Sequence, residues 1–145
     1  MANLLPLRRR DTQLARPAYA GVIVARVSLL LRRETPHASR DYAASLLEGA
    51  GLDARAVYDV TTVISELVTA SYLAGATNVE LGLEIHPDHV SAIVRDDRQP
   101  TWRELLPPSR NSVREALLDA LTTTRTATED LLGMVNVARV SLAAS

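Results

Sequence analysis

An alternation of apolar and polar residues near the middle of the chain constrains the fold more than any other feature. Residues 79–85 read Val-Glu-Leu-Gly-Leu-Glu-Ile, the period-two pattern of a strand with one buried face. The following His-Pro-Asp-His sequence at 86–89 is typical of a turn, and residues 90–95 are again suited to a strand. The pattern therefore predicts a β-hairpin that is half buried.

Two helices are predicted before this hairpin. Thr35 and Pro36 suit the N-cap and first position of a helix that ends near Gly49 and Gly51. Its apolar positions are Tyr42, Leu46, Leu47 and Ala50. Asp53 can cap a second, longer helix with a single buried stripe. That stripe consists of Val57, Val60, Ile64, Leu67, Val68 and Ser71.

The chain before these helices divides into two parts. Residues 1–18 contain two prolines and an arginine run without apolar periodicity, and they are predicted to form an N-terminal arm. Residues 21–33 are rich in β-branched residues and leucine, which favours a strand, bent or broken near Ala25. The predicted domain spans residues 19–145.

After the hairpin, a proline-containing loop is predicted over 96–111. Asn111 or Ser112 can then cap a third helix. The apolar face expected for this helix is Val113, Ala116, Leu117, Ala120 and Leu121. Two closing strands are predicted over 122–128 and 134–142, joined by a turn through Asp130 and Gly133.

The resulting order β-α-α-β-β-α-β-β predicts an α+β fold. We expect a two-layer sandwich in which the helices pack on one face of a mixed, largely antiparallel sheet. A length of 145 residues with 47% hydrophobic content is sufficient for one core.

Charge and cysteine content narrow the functional classes. A net charge of -1 provides no field for holding a polyanion, so direct nucleic-acid binding is not expected. The apolar run 19–31 is too short for a membrane span and contains Arg26. The absence of cysteine excludes disulfides and thiolate metal sites and is compatible with a reducing interior. We expect a cytoplasmic protein.

A polar stripe on the second helix contains the first candidate for chemistry. Asp59, Thr62, Glu66 and Thr69 follow one another at helical spacing, opposite the buried stripe. A carboxylate there could orient or deprotonate water. Considered alone, however, such a stripe is more often a solvated helix face. His86 and His89 flank the predicted turn without a known ligand spacing, and no metal site is expected there.

Residues 64–71, Ile-Ser-Glu-Leu-Val-Thr-Ala-Ser, resemble the first nucleotide motif, or N box, of the GHKL ATPase superfamily. The similarity is to the anti-sigma-factor serine-kinase branch of these histidine-kinase-like ATPases, and the element order extends it from about Val27 onward. The resemblance implies a Bergerat-type fold and a catalytic base at Glu66. The asparagine that binds Mg²⁺ in the family is Ala70 here, which offers no oxygen ligand.

The other two family motifs also depart from the pattern. Asp96 stands at the position that contacts the adenine amino group, but Asp97 and Arg98 replace neighbouring glycines. An ordinary turn residue is an equally open interpretation of Asp96. The phosphate-binding glycines are absent from 112–117, where Glu115 would repel phosphate, although Arg114 and the helix N-terminus could attract it.

These departures predict a regulatory protein-binding module that has lost nucleotide binding and kinase activity. The resemblance implies a partner of the sigma-factor or anti-sigma-antagonist class, and no cofactor is expected. The alternative is an active ATP- and Mg²⁺-dependent serine kinase or ATPase, in which Glu66 is the catalytic base and Asp96 contacts the adenine amino group. A third alternative is a homo-oligomer that pairs strand 21–31 across a two-fold axis, which is compatible with the first.

Overall fold

The structure is a computed structural model that describes residues 13–14, 22–98, 112–130 and 133–142. Within these ranges there are three helices and six strands. The helices are α1 (Thr35–Gly49), α2 (Ala54–Leu73) and α3 (Ser112–Leu121). The strands are β1 (Gln13–Leu14), β2 (Ile23–Leu30), β3 (Asn78–Ile85), β4 (His89–Asp96), β5 (Thr124–Asp130) and β6 (Gly133–Ser141). The α+β class is therefore confirmed.

The strands form one sheet in the order β1-β2-β3-β4-β6-β5. Every strand pair in the described ranges is antiparallel, so the prediction of a mixed sheet is wrong there. The connections explain this. Helices α1 and α2 form a hairpin that returns the chain to the end of the sheet where β2 finished, and β3 must run in the opposite direction. After α3, β5 runs in the same direction as β4, but β6 lies between them.

Helix α2 supplies the centre of the core, as its sequence predicts. The whole predicted stripe is buried, and α2 contacts β4 and β6 while α1 contacts α2 and β3. Facing α2, the apolar residues of the hairpin are also buried. They are Val79, Leu81, Leu83, Ile85, Val90, Ala92 and Val94. Asp53 caps the helix, since its Oδ1 accepts a hydrogen bond from the Ala56 amide at 2.9 Å.

The start of α1 differs from the expectation. Thr35 is the first helical residue and not the N-cap, which is Glu34. The Thr35 hydroxyl instead donates to the Leu30 carbonyl at 2.7 Å and accepts from the Arg32 amide at 2.8 Å. Thr35 therefore closes the turn between β2 and α1, a role that only the folded turn makes visible.

Strand β2 is continuous, and the predicted bend or break near Ala25 is wrong. Its register with β3 is unbroken from Ile23 to Leu30. On the other side, β1 pairs with β2 at Arg26 and Ala25. Two residues of the predicted arm thus belong to the sheet, and the rest of the arm lies outside the described residues.

Helix α3 is rotated relative to its predicted apolar face. Leu118 is its fully buried residue, and Leu117 and Leu121 of the predicted face are half-buried, with Leu121 packed against the core. The rest of that face is exposed: Val113 is 78% exposed, and Ala116 and Ala120 are also exposed. Arg114 lies on the inward side, where it meets α2. The packing of Leu118 into the core and the ion pair of Arg114 therefore set the orientation of α3, rather than the number of apolar residues on the predicted face.

The closing hairpin is confirmed, with shifted ends. Strands β5 and β6 pair from Thr124 with Arg139 to Asp130 with Gly133. The 96–111 loop lies almost entirely outside the described residues, as does the proposed cap Asn111. No helix in the described ranges is long and apolar enough to cross a membrane.

The backbone conformation and the close neighbours of residue 133, at the start of β6, require glycine. Its φ is +143°, and a Cβ added there would collide with the carbonyl oxygen of Asp96. We expect Gly133→Ala to lower the free energy of unfolding by roughly 2 kcal/mol or more, measured by urea denaturation.

Gly82 provides the matched control, because it is also a buried strand glycine. A Cβ there would lie 3.6 Å from the nearest atom, Cβ of Ile93, which is ordinary van der Waals contact. Gly82→Ala is expected to change stability by less than about 1 kcal/mol. Equal losses in the two variants would contradict the clash at Gly133.

Candidate functional site

The carboxylate of Asp96, at the end of β4, is enclosed by hydrogen-bond donors. Ser71 of α2 donates its hydroxyl to Oδ2 at 2.5 Å. Arg98 donates Nε to Oδ1 and Oδ2 at 3.1 and 3.0 Å, and Nη2 to Oδ2 at 2.7 Å. The Arg98 amide also donates to Oδ1 at 3.0 Å. Both oxygens are therefore engaged by groups of this chain.

Because this cluster is buried, the charge of Asp96 is stable only if it is paired. The Asp96 side chain is 0% exposed and that of Arg98 is 13% exposed. Burial alone would raise the pKa of Asp96, but the hydrogen bonds from Arg98 and Ser71 outweigh it and hold the pKa below its ordinary value. Asp96 is thus an ionised, paired carboxylate inside the protein.

The neighbouring residue Asp97 joins the same end of the sheet to β3. Its Oδ1 accepts from the Thr77 and Asn78 amides at 2.7 and 3.0 Å, and its Oδ2 accepts from the Thr77 hydroxyl. Burial acts to raise the pKa of Asp97, yet these hydrogen bonds lower it well below the ordinary value. Asp97, at a position where glycine was expected from the resemblance, has a structural contact of its own.

Glu66 of α2 is paired with Arg114 of α3. Arg114 Nε lies 3.2 Å from Glu66 Oε1, and the two side chains are 27% and 23% exposed for Glu66 and Arg114 respectively. The structure therefore joins two of the three predicted site residues. The two residues form an ion pair between the Glu66 carboxylate and the Arg114 guanidinium.

The polar stripe around Glu66 is not the solvated face that its sequence alone favours. Thr62, one turn before Glu66, is only 7% exposed, and its hydroxyl has no hydrogen-bond partner. Asp59 is partly covered and pairs with Arg55 at 3.4 Å. The polar stripe of α2 is thus partly covered by the rest of the helical layer, which consists of α1, α2 and α3.

Glu66 and Asp96 lie on different sides of α2. Asp96 is bound to α2 through Ser71, which follows Glu66 by five positions, or roughly 140° around the helix axis. In the described part of the chain, no hydrogen bond or ion pair joins the two carboxylates. They form two separate polar contacts, each closed by an arginine.

This arrangement does not fit the nucleotide and metal that the resemblance implies. Asp96 would have to release Arg98 before it could accept an adenine amino group, and Glu66 is engaged by Arg114. Ala70 has no oxygen to offer Mg²⁺. Within the described ranges, no group of three or more His, Asp or Glu side chains is placed to hold a metal ion. His86 and His89 stack on each other with ring centroids 4.2 Å apart.

A third arginine cluster, centred on Arg125, holds α3 to β5. Arg125 donates from Nη2 to Glu115 Oε1 at 2.9 Å and to Asp119 Oδ1 at 2.8 Å. Burial would lower the pKa of Arg125, but these hydrogen bonds raise it. Glu115, which sequence reasoning considered a source of phosphate repulsion, is thus paired with this guanidinium.

A cleft of about 180 Å³ opens next to Arg125, between α2 and the closing hairpin. Its lining residues are Leu67, Arg125, Thr126, Ala127, Asn136, Val137 and Ala138. The volume is below the usual range for a drug-sized or nucleotide ligand, about 300–1,000 Å³.

Sequence reasoning missed several residues of these clusters, among them Ser71, Arg98 and Arg125. Ser71 was assigned to the apolar stripe, and Arg98 was considered only as a lost glycine. The available signal was the Asp-x-Arg spacing from Asp96 to Arg98, because an aspartate commonly bonds the backbone two residues later. The pairing of Arg125 with α3 has no local sequence signal.

No protein-family model matches the chain, and a comparison with curated proteins also finds no match.

Removing Arg98 tests the buried pair. Arg98→Ala would leave the Asp96 charge buried with Ser71 as its remaining side-chain donor, and loss of one partner of such a pair costs about 3–5 kcal/mol. We expect that loss in urea denaturation at neutral pH. Without Arg98 the pKa of Asp96 should rise. The difference from wild type should then narrow as the pH falls through the raised pKa of Asp96 in the variant, because protonation removes the unpaired buried charge there while Asp96 of the wild type stays ionised.

Arg55→Ala is the matched control, because Arg55 also pairs with an aspartate but is 84% exposed. An exposed pair of this kind contributes about 0–1 kcal/mol. Equal stability of the Arg98 and Arg55 variants would contradict the role assigned to the buried pair.

Proposed function

We propose that this chain is a regulatory protein-binding module on a GHKL-like, two-layer scaffold whose nucleotide site is closed by its own side chains. The observation that carries the proposal is the contact of the Arg98 guanidinium with both oxygens of the buried carboxylate of Asp96. In this interpretation the guanidinium satisfies the acceptor that an adenine amino group would otherwise use.

An arginine also engages the second carboxylate that the resemblance assigns to the nucleotide site, Glu66. Arg114, which the resemblance makes a candidate phosphate contact, binds Glu66 instead. The Glu66 oxygen that Arg114 binds is occupied by this contact, whereas a general base must be within hydrogen-bond reach of the proton that it abstracts. Both arginines thus support a scaffold role rather than phosphoryl transfer.

The helical layer carries apolar surface that a protein partner could cover. Of the large apolar residues exposed in the described ranges, four lie on helices and one on the sheet. The helical ones are Tyr58, Tyr72 and Leu73 on α2 and Val113 on α3. Exposed aromatic and aliphatic side chains are typical anchors of protein interfaces. The partner class, a sigma factor or an antagonist of an anti-sigma factor, rests on the N-box resemblance.

Titration calorimetry with ATP and Mg²⁺ tests the loss of nucleotide binding. We expect no binding at micromolar concentrations and no phosphate transfer. Ala70→Asn, which restores the missing oxygen ligand, should remain inactive because Asp96 and Glu66 stay paired. Micromolar binding with transfer by the wild type would establish the alternative, an active kinase. Turnover by Ala70→Asn alone would show that the arginine pairs do not close the site.

Partner binding is testable by co-expressing the chain with each sigma factor and each anti-sigma-factor antagonist of the encoding organism. We expect one of them to form a complex stable to size-exclusion chromatography. Tyr58 is 60% exposed on α2, and Tyr58→Ser should weaken this complex on the order of tenfold or more, as loss of an interface anchor does.

Leu30→Ser is the control, since Leu30 is 56% exposed but lies on β2 and not on the helical layer. It should leave the complex unchanged. A complex that is sensitive to Leu30 and insensitive to Tyr58 would contradict docking on the helices. Absence of a complex with every candidate would contradict the partner class.

A further inference from the structure

The two edges of the sheet differ in how they are covered. On one edge, the short strand β1 pairs with β2. On the other edge lies β5, which in the described part of the chain pairs with β6 alone. The outer side of β5 therefore presents backbone donors and acceptors along seven residues.

Strand β5 lacks three of the features that prevent pairing at an edge, and it retains a fourth, the charged residues Arg125, Glu129 and Asp130, whose charges a partner strand must match. Its sequence, Thr-Arg-Thr-Ala-Thr-Glu-Asp, contains no proline or glycine. Its register with β6 runs without a bulge from Thr124 to Asp130. Prolines, bulges and very short edge strands are the devices that block such pairing in other proteins, and β5 has none of these three.

The order of residues along β5 is complementary to itself in the reverse direction. In an antiparallel pair centred on Ala127, Arg125 of one copy lies opposite Glu129 of the other, and Thr126 lies opposite Thr128. Each pairing occurs twice because the axis is two-fold. Opposite charges and β-branched residues directly across strands are stabilising pairs. Shifting the centre to Thr126 or Thr128 loses the charge pairing.

We propose that β5 is a self-association edge, at which two copies of this chain pair antiparallel about Ala127 to form one continuous sheet. The occupant is a second copy because the pattern is complementary to itself. This proposal is independent of the proposed function, since it uses the edge of the sheet and not the helical layer.

Arg125 is held beside β5 by its contacts with α3. Glu115 and Asp119 are both bound by Nη2, so the guanidinium is held in place beside the strand. A guanidinium has five N–H donors, and Glu115 and Asp119 use only those of Nη2 in the contacts described, so a further carboxylate can bind the remaining donors. Glu129 is exposed on the same strand.

The absence of cysteine from the chain permits a test of the register by single-cysteine variants. Directly opposed residues of an antiparallel pair have Cα atoms about 4.5–5.5 Å apart, within the range of a disulfide. Ala127→Cys should therefore form a disulfide-linked dimer under mild oxidation, seen on a non-reducing gel. Thr124→Cys is the control on the same exposed strand. Its two copies would lie roughly 20 Å apart, and it should remain unlinked.

Sedimentation equilibrium measures the association itself. The wild-type chain should dimerise reversibly, and Glu129→Lys should weaken dimerisation on the order of tenfold because it places a second cation opposite Arg125. Glu48→Lys makes the same charge change on an exposed face of α1 and should dimerise like wild type. A wild-type chain that remains monomeric up to about millimolar concentration, equal linking at Thr124 and Ala127, or equal dimerisation of the Glu129 and Glu48 variants would each overturn the proposal.

Discussion

The buried carboxylate of Asp96 is the interaction on which the arrangement of the other elements depends. It lies at the end of β4 and receives hydrogen bonds from Ser71 of α2 and from Arg98 in the following loop. The carbonyl of the same residue is approached so closely by Gly133 that no side chain fits there. One residue thus joins the long helix, the central strand and the start of β6. Since a buried charge is tolerated only when it is paired, these groups must assemble together.

Arginine supplies the cationic partner in each of the polar clusters around the helical layer. Arg98 binds Asp96, Arg114 binds Glu66, and Arg125 binds two carboxylates of α3. The planar guanidinium suits this use because it provides several donors in a fixed geometry and remains charged when partly buried. The consequence for function is common to all three clusters. Acidic groups that would otherwise be available for chemistry are engaged within the fold.

Much of the architecture was predictable, because it follows from local patterns. The buried stripe of α2, the cap at Asp53 and both hairpins were identified by periodicity and turn residues. The errors arose where packing outweighs the local pattern. Apolar residues of α3 indicated a face through Val113, but the position of Leu118 against the core and of Arg114 against Glu66 rotates the helix away from it. The sheet was expected to be mixed because periodicity contains no information on strand direction.

The sequence by itself determined the element order, the apolar face of the sheet and the identity of the acidic residues near α2. Hydrophobic periodicity and turn chemistry act over a few residues, so they can be recognised without the fold. Only the tertiary structure decided which distant side chain each of these carboxylates meets, whereas the contact of Asp96 with Arg98 is local. Glu66 and Arg114 are 48 positions apart, and Ser71 and Asp96 are 25 positions apart. Pairings over such separations are set by the packing of helices on the sheet, which brings together side chains that no local pattern relates.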